Sequence, residues 1–185
     1  RQLGGSGGLM VSASHNPPHD NGIKVFGACG AKLGKEQQAA IEAGLHGVAD
    51  GSCGSGFCGT GRLQQRPDLL EAYQQRLLES VAGARLDGCR IVLDLCWGSA
   101  SSCGEALFRA LGADLTVLHG EPDGSRINQG CGSTHLEPLR AAVLEHDAAM
   151  GFAFDGALNR VDNGQAHLAF AFAVSESFEC VECLP

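Results

Sequence analysis

The feature that most restricts what this chain can fold into is the rhythm between Arg90 and Phe154, where short apolar runs alternate with helix-length segments. Arg90-Ile-Val-Leu-Asp-Leu95 reads as a strand, Ser102 to Leu111 as a helix closed by Gly112, and Asp114 to His119 as a second strand. His135 to Asp147 reads as another helix and Ala149-Met-Gly-Phe-Ala-Phe154 as a third strand. Strands joined through helices of this length pair in parallel by crossover. The expected class is therefore α/β, with mixed, mostly parallel sheets covered by helices.

The region before this rhythm has a different order: strand, loop, strand, helix. Gly8-Leu-Met-Val-Ser-Ala-Ser14 is apolar and ends in small polar residues, which predicts a buried strand delivering a loop at its C-terminal end. In open α/β sheets that end is where ligands sit. Asn21-Gly22 is a turn pair, Ile23 to Phe26 a second strand, and Lys35 to Leu45 a helix carrying Ala39, Ala40, Ile41 and Leu45. Gly47 to Gly61 is rich in Gly, Ser and Cys and reads as a surface connection at a domain boundary. Beyond it, Pro67 suits a first helical turn, and Leu69, Leu70, Tyr73, Leu77 and Leu78 keep helical spacing to about Val81. The expected division is residues 1–60, 61–161 and an unassigned tail at 162–185.

Composition narrows the function. With 185 residues and 44% apolar content the chain can bury a core, and 27 glycines suit tight turns and close backbone approaches to phosphate groups. A net charge of −8 argues against nucleic acid or an anionic membrane as partner, because either needs a basic face. Nine scattered cysteines, an odd number with no secretory leader before them, read as reduced thiols in a cytoplasmic setting. Cys180-Val-Glu-Cys183 has the spacing of a metal pair but no second pair and no nearby His, so chance spacing is favoured over zinc. No apolar run reaches the ~20 residues that span a bilayer. Arg1 already stands at the approach to a strand, as in a piece of a longer protein.

The chemistry concentrates in Ser12 to Lys24, SASHNPPHDNGIK. Ser14 stands at the end of a strand, His15 follows at once, and Lys24 comes shortly after, so a nucleophile, a proton carrier and a cation share one segment. A lone serine in a loop is most often a turn or cap residue, and a lone lysine a solvated charge. The complete string carries more than either.

Ser12-Ala-Ser-His-Asn-Pro17 with Asp20-Asn-Gly-Ile-Lys24 resembles the phosphoserine loop of the α-D-phosphohexomutases, in wording closest to the phosphoglucosamine mutase branch. Val92 to Gly98, Leu107 to Gly112, Glu121 to Asn128 and Cys131 to Thr134 resemble that family's second domain in the same order, so the likeness runs from about Gly7 to Val161. It implies parts of two consecutive phosphohexomutase domains. It also implies reversible movement of phosphate between the 6 and 1 positions of a hexosamine phosphate, through a phosphoserine and a bisphosphorylated sugar. Ser14 matches the carrier, His15 and Lys24 the groups beside the phosphate, and Asn16 and Arg160 supporting residues. Such a loop must hold a dianion where a sugar oxygen can attack in line.

The family's metal loop reads Asp-Gly-Asp-x-Asp-Arg and holds Mg²⁺ together with the phosphoserine oxygen. Here it reads Asp155-Gly-Ala-Leu-Asn-Arg160, which leaves Ser14, Asp155 and Asn159 as ligands and puts Ala157 where a carboxylate is expected. A hard cation that relies on anionic oxygens should bind such a set weakly. The family's sugar-recognition and C-terminal phosphate-binding domains have no counterpart in the sequence. Two readings follow: a piece of a phosphoglucosamine mutase that keeps the carrier loop, or an inactive, metal-deficient domain that binds sugar phosphate or another partner.

Overall fold

The computed structural model describes residues 3–49, 62–81, 83–157 and 161–163. The chain divides into two compact units, Arg1–Val11 with Gly22–Gln65, and Ser12–Asn21 with Arg66–Pro185.

In the first unit, strands β1 (Gly7–Ser12) and β2 (Gly22–Gly27) form a two-stranded sheet, and helix α1 (Lys35–Ala49) follows. The turn after β2 closes through Gly27 N–H to the Ala31 carbonyl at 2.9 Å and Gly30 N–H to the Gly27 carbonyl at 2.8 Å. Gly34 N–H donates to Gln37 Oε1 at 3.2 Å, which satisfies one of the orphan donors at the start of α1. The expectation of a buried first strand is corrected here. Leu9 and Val11 are 74% and 69% exposed, because a ribbon of two strands has no neighbour to cover the face they share.

The second unit holds helix α2 (Asp68–Ser80), strand β3 (Arg90–Asp94), helix α3 (Gly104–Ala110), strand β4 (Asp114–Leu118), helix α4 (Glu137–Glu145) and strands β5 (Met150–Phe154) and β6 (Val161–Asn163). Its sheet order is β4-β3-β5-β6. β3 pairs in parallel with both β4 and β5, while β6 closes the edge antiparallel to β5. The mixed, mostly parallel sheet is thus as expected. Because parallel sheets are covered on both faces, β3 is apolar without alternation: Ile91, Val92 and Leu93 are all buried. Ile91, Leu93 and Leu95 pack on one side with Ala100, Ala113 and Phe154, joined by Phe108 of α3. Val92 and Ala153 pack on the other against Leu139, Ala142 and Val143 of α4.

Two helices differ from expectation. The segment beginning at Ser102 is preceded by a 3-10 turn over Ser99–Ser102, and α3 starts only at Gly104. Serine hydroxyls compete for the backbone there: Ser101 Oγ donates to the Gly98 carbonyl, and Ser102 Oγ to the Ser99 carbonyl at 2.5 Å. Likewise α4 starts at Glu137, after a 3-10 turn over Gly132–Thr134, and ends before Asp147, whose φ is +47°. α2 has its expected spacing but buries no residue; Leu70 and Tyr73 stay 38% and 44% exposed. α1 runs on past the expected end at Leu45 to Ala49, so the first residues of the expected connection are helical; residues 50–61 lie outside the described residues, as do Asn159, Arg160, Cys180, Cys183 and the apolar run Leu168 to Val174.

Candidate active site

The parallel sheet of the second unit directs three chain segments to the C-terminal ends of its strands. β3 runs into Leu95 to Gly98, β4 into His119, and β5 into Asp155 and Gly156. Asp94, at the end of β3, is fully buried and ties this end together. Its Oδ1 accepts from Cys96 N–H at 3.0 Å and pairs with His119 Nδ1 at 2.9 Å, and its Oδ2 accepts from Gly132 N–H at 2.9 Å. A buried carboxylate with its lone pairs engaged in this way organises loops. The His119 ring lies 5.3 Å from that of Trp97, tilted at 53°, and the Arg126 guanidinium sits over the Trp97 ring at 3.6 Å.

Close backbone approach shapes the floor. Gly98 lies so near the Asp155 loop that a Cβ there would stand 2.6 Å from the Gly156 carbonyl oxygen. Ser99 N–H donates to that same carbonyl at 3.1 Å.

The loop Ser12–Asn21 belongs to this unit. Ser14 has φ +53°, a left-handed conformation that is uncommon for a residue with a side chain, and its N–H donates to Ser12 Oγ at 3.0 Å. That backbone turns Ser14 Oγ toward Asp155, to whose Oδ2 it donates at 3.3 Å; His15 Nδ1 lies 3.4 Å from Ser14 Oγ. Asp155 is fully buried, Ser14 is half-buried and His15 is exposed. Beside the loop opens a cavity of about 520 Å³ whose lining includes His15, His19, Asn128, Thr134 and His135.

Of the residues singled out from sequence, Ser14, His15 and Asp155 come together. Asn16 is in the same loop, where its N–H donates to the Ala13 carbonyl at 2.9 Å and its own carbonyl accepts from Asn128 Nδ2 at 2.8 Å. Lys24 lies on β2 in the first unit and is half-buried. Asn159 and Arg160 lie outside the described residues. Sequence reasoning gave no role to Asp94, His119 or Asn128; the available signals were an acid ending an apolar strand, and an Asn placed shortly before Cys131-Gly132.

The chemistry of Ser14 Oγ follows from its neighbours. One hydroxyl proton can be directed to Asp155 or to His15, and whichever base receives it leaves an oxygen able to bond phosphorus. A phosphoryl group on Oγ would bring a charge of about −1.5 to −2 against the buried Asp155 carboxylate, a repulsion that a cation between them or a proton on one of them relieves. Among the described residues no group of three or more His, Cys, Asp or Glu side chains is arranged to hold a metal ion. Among the described residues the set is one carboxylate and one hydroxyl, a weak one for Mg²⁺, and Ala157, buried where the family has a carboxylate, adds no oxygen.

Two buried thiols stand behind the floor. Cys96 Sγ and Cys131 Sγ are 3.8 Å apart, and the hydrogen bond they share, with burial, pushes the Cys96 thiol well above the ordinary thiol range.

A family model described as "Phosphoglucomutase/phosphomannomutase, alpha/beta/alpha domain I" matches residues 1–50. A protein named phosphoglucosamine mutase from a Synechococcus species is 64% identical over 161 residues, 87% of this chain and 35% of that protein. Its counterpart in Prochlorococcus marinus is 65% identical over 162 residues, with the same shares. The chain belongs to the α-D-phosphohexomutase family. A crystal structure of a phosphoglucomutase/phosphomannomutase family protein from Burkholderia thailandensis superposes with a TM-score of 0.64 at 28% identity, over 84% of this phosphohexomutase chain and 32% of the other. The chain spans about 35% of the length of the curated relatives it matches. No helix among its described residues is long and apolar enough to cross a membrane.

Proposed function

We propose that this phosphohexomutase chain carries the phosphoserine step of a phosphoglucosamine mutase, the interconversion of glucosamine 6-phosphate and glucosamine 1-phosphate through a bisphosphorylated sugar. The observation that carries this reading is the placement of Ser14 Oγ against the buried carboxylate of Asp155, on a loop with the family's wording. In the step, the P–Oγ bond of phosphorylated Ser14 breaks as a bond forms from phosphorus to a sugar hydroxyl oxygen. The hydroxyl proton passes to a base while the departing Ser14 Oγ takes up a proton; the cycle closes when Ser14 Oγ gives up that proton and takes a phosphoryl group back from the other position of the bisphosphorylated sugar. His15, 3.4 Å from Ser14 Oγ, is assigned as a proton carrier, and Lys24 to neutralising the transferring charge.

The same proposal keeps the division at residues 1–60, 61–161 and 162–185, a cytoplasmic setting, and recognition of the sugar by the parts of the family's length that this chain does not span. It also includes Mg²⁺, held weakly by Ser14, Asp155 and Asn159. Buried Ala157 supports a second reading, a sugar-phosphate binding or interaction domain that no longer transfers phosphate.

Incubation with glucosamine 1,6-bisphosphate or glucose 1,6-bisphosphate, with and without Mg²⁺, separates the two. The carrier reading expects a gain of about 80 Da at Ser14 and none in Ser14→Ala. Absence of label under every metal condition leaves the binding reading.

A further inference from the structure

The strain at Ser14 needs a cause. A side-chain-bearing residue at φ +53° persists only where its surroundings hold it; Ser12 Oγ accepts from the Ser14 N–H, and the Ser14 carbonyl is held by a buried amide, that of Asn128. Asn128 is 8% exposed, and its side-chain amide uses all of its hydrogen-bonding capacity. The two N–H bonds of its Nδ2 go to the Ser14 carbonyl at 2.7 Å and the Asn16 carbonyl at 2.8 Å. Its Oδ1 accepts from Gly156 N–H at 3.1 Å and from Cys96 Sγ at 3.1 Å. Its own N–H donates to Cys96 Sγ at 3.3 Å. One side chain thereby joins the serine loop, the loop carrying Asp155 and the turn after β3. These contacts all lie within the second unit.

We infer that Asn128 is the positioning residue of the carrier serine: its amide clamps the Ser14 loop to the Asp155-Gly156 loop and so sets the approach of Ser14 Oγ to Asp155. The inference rests on the carrier reading for its catalytic consequence, though not for the clamp itself. Asn128 touches neither Oγ nor the Asp155 carboxylate in the bonds above, so it acts through the two backbones. A fully satisfied buried amide is rigid, because any rotation strands a donor or an acceptor away from water.

Two substitutions dissect the clamp. Asn128→Asp keeps an oxygen for Gly156 N–H but replaces both donors with an acceptor facing two carbonyls. Asn128→Gly removes the side chain at a position whose φ of +58° glycine adopts freely, so the backbone is spared. In the full chain, hydrogen exchange of the Asn16 amide is expected to speed up by about tenfold or more in both variants, with Leu93 of β3 changed by less than about twofold. Where glucosamine 1,6-bisphosphate labels Ser14, the maximal labelling rate is expected to fall by about tenfold or more while the half-saturating concentration stays within about twofold.

Unchanged protection at Asn16 overturns the clamp. So does a loss spread equally to Leu93, which would mark general loosening. Labelling at the parent rate overturns the catalytic consequence. If the parent itself takes up no label, the carrier reading falls, and the contrast between Asn16 and Leu93 alone decides the clamp.

Discussion

Ala157→Asp tests how the Asp155 loop handles charge. Asp155 is fully buried and Ala157 is 6% exposed, so the variant places a second carboxylate in a site with little water. Two carboxylates about 4 Å apart repel by about 4 kcal/mol at an effective dielectric of ~20, and one of them escapes part of this by holding a proton. A net loss of about 2–3 kcal/mol is expected in EDTA. At roughly 4 °C per kcal/mol that is a fall in Tm of about 10 °C. A divalent cation reverses the sign of the contact, because the second carboxylate supplies the anionic oxygen that the loop lacks. With Mg²⁺ at about a hundred times its Kd, linkage returns about 2.7 kcal/mol, most of the deficit. The assay is thermal unfolding of parent and variant in EDTA and in MgCl₂. The parent should move by about 1 °C or less and the variant by several degrees. A variant that stays low in MgCl₂, or a parent that rises as far, refutes the assignment of residue 157 to the metal loop.

Two further outcomes follow from the same geometry. Gly98→Ala keeps an extended backbone, with φ −101° and ψ −163°, yet sets its Cβ 2.6 Å from the Gly156 carbonyl oxygen. A loss of about 1–3 kcal/mol is expected in urea unfolding, and a midpoint unchanged from the parent would show that the two loops can separate freely. Alkaline pH should also destabilise the chain. The Cys103 thiol is raised by burial; the hydrogen bond between Cys96 and Cys131 raises the first thiol and lowers the second, so these two oppose each other and Cys103 carries the prediction, keeping its proton in the folded state after the unfolded chain has lost it. Its contribution is complete below the unfolded pKa of ~8.5 and is lost as pH rises toward the folded value, at up to about 1.4 kcal/mol per pH unit. Under reducing conditions Tm should fall above about pH 8.5, less steeply in Cys103→Ala; a flat profile would refute the burial argument.

Much of the second unit was legible because a two-sided parallel sheet writes itself into composition. Val92 and Leu93 point to opposite faces, yet both are apolar because both faces are covered, and that is the unbroken run read as a strand. The first strand misled for the complementary reason. Gly8 to Val11 carries the same kind of residues, but local composition does not reveal whether another layer covers them, and in the two-stranded sheet Leu9 and Val11 remain open. The serine-rich start of α3 was misread because hydroxyls that bond back to carbonyls are invisible to apolar periodicity.

For the site, the sequence by itself determined the identity of the reacting groups. Ser14, His15 and Asp155 were named from motif wording, because phosphoryl chemistry demands particular functional groups, and so was the missing carboxylate at Ala157. Only the tertiary structure decided what holds them in place. Asn128 is separated from Ser14 by 114 positions, and its role exists only as four hydrogen bonds converging on one buried amide. Asp94 gains its three partners in the same way, from segments brought together at the ends of β3, β4 and β5. Functional groups are a property of residue type and can be read along the chain, whereas satisfaction of buried polar atoms is a property of the packed interior.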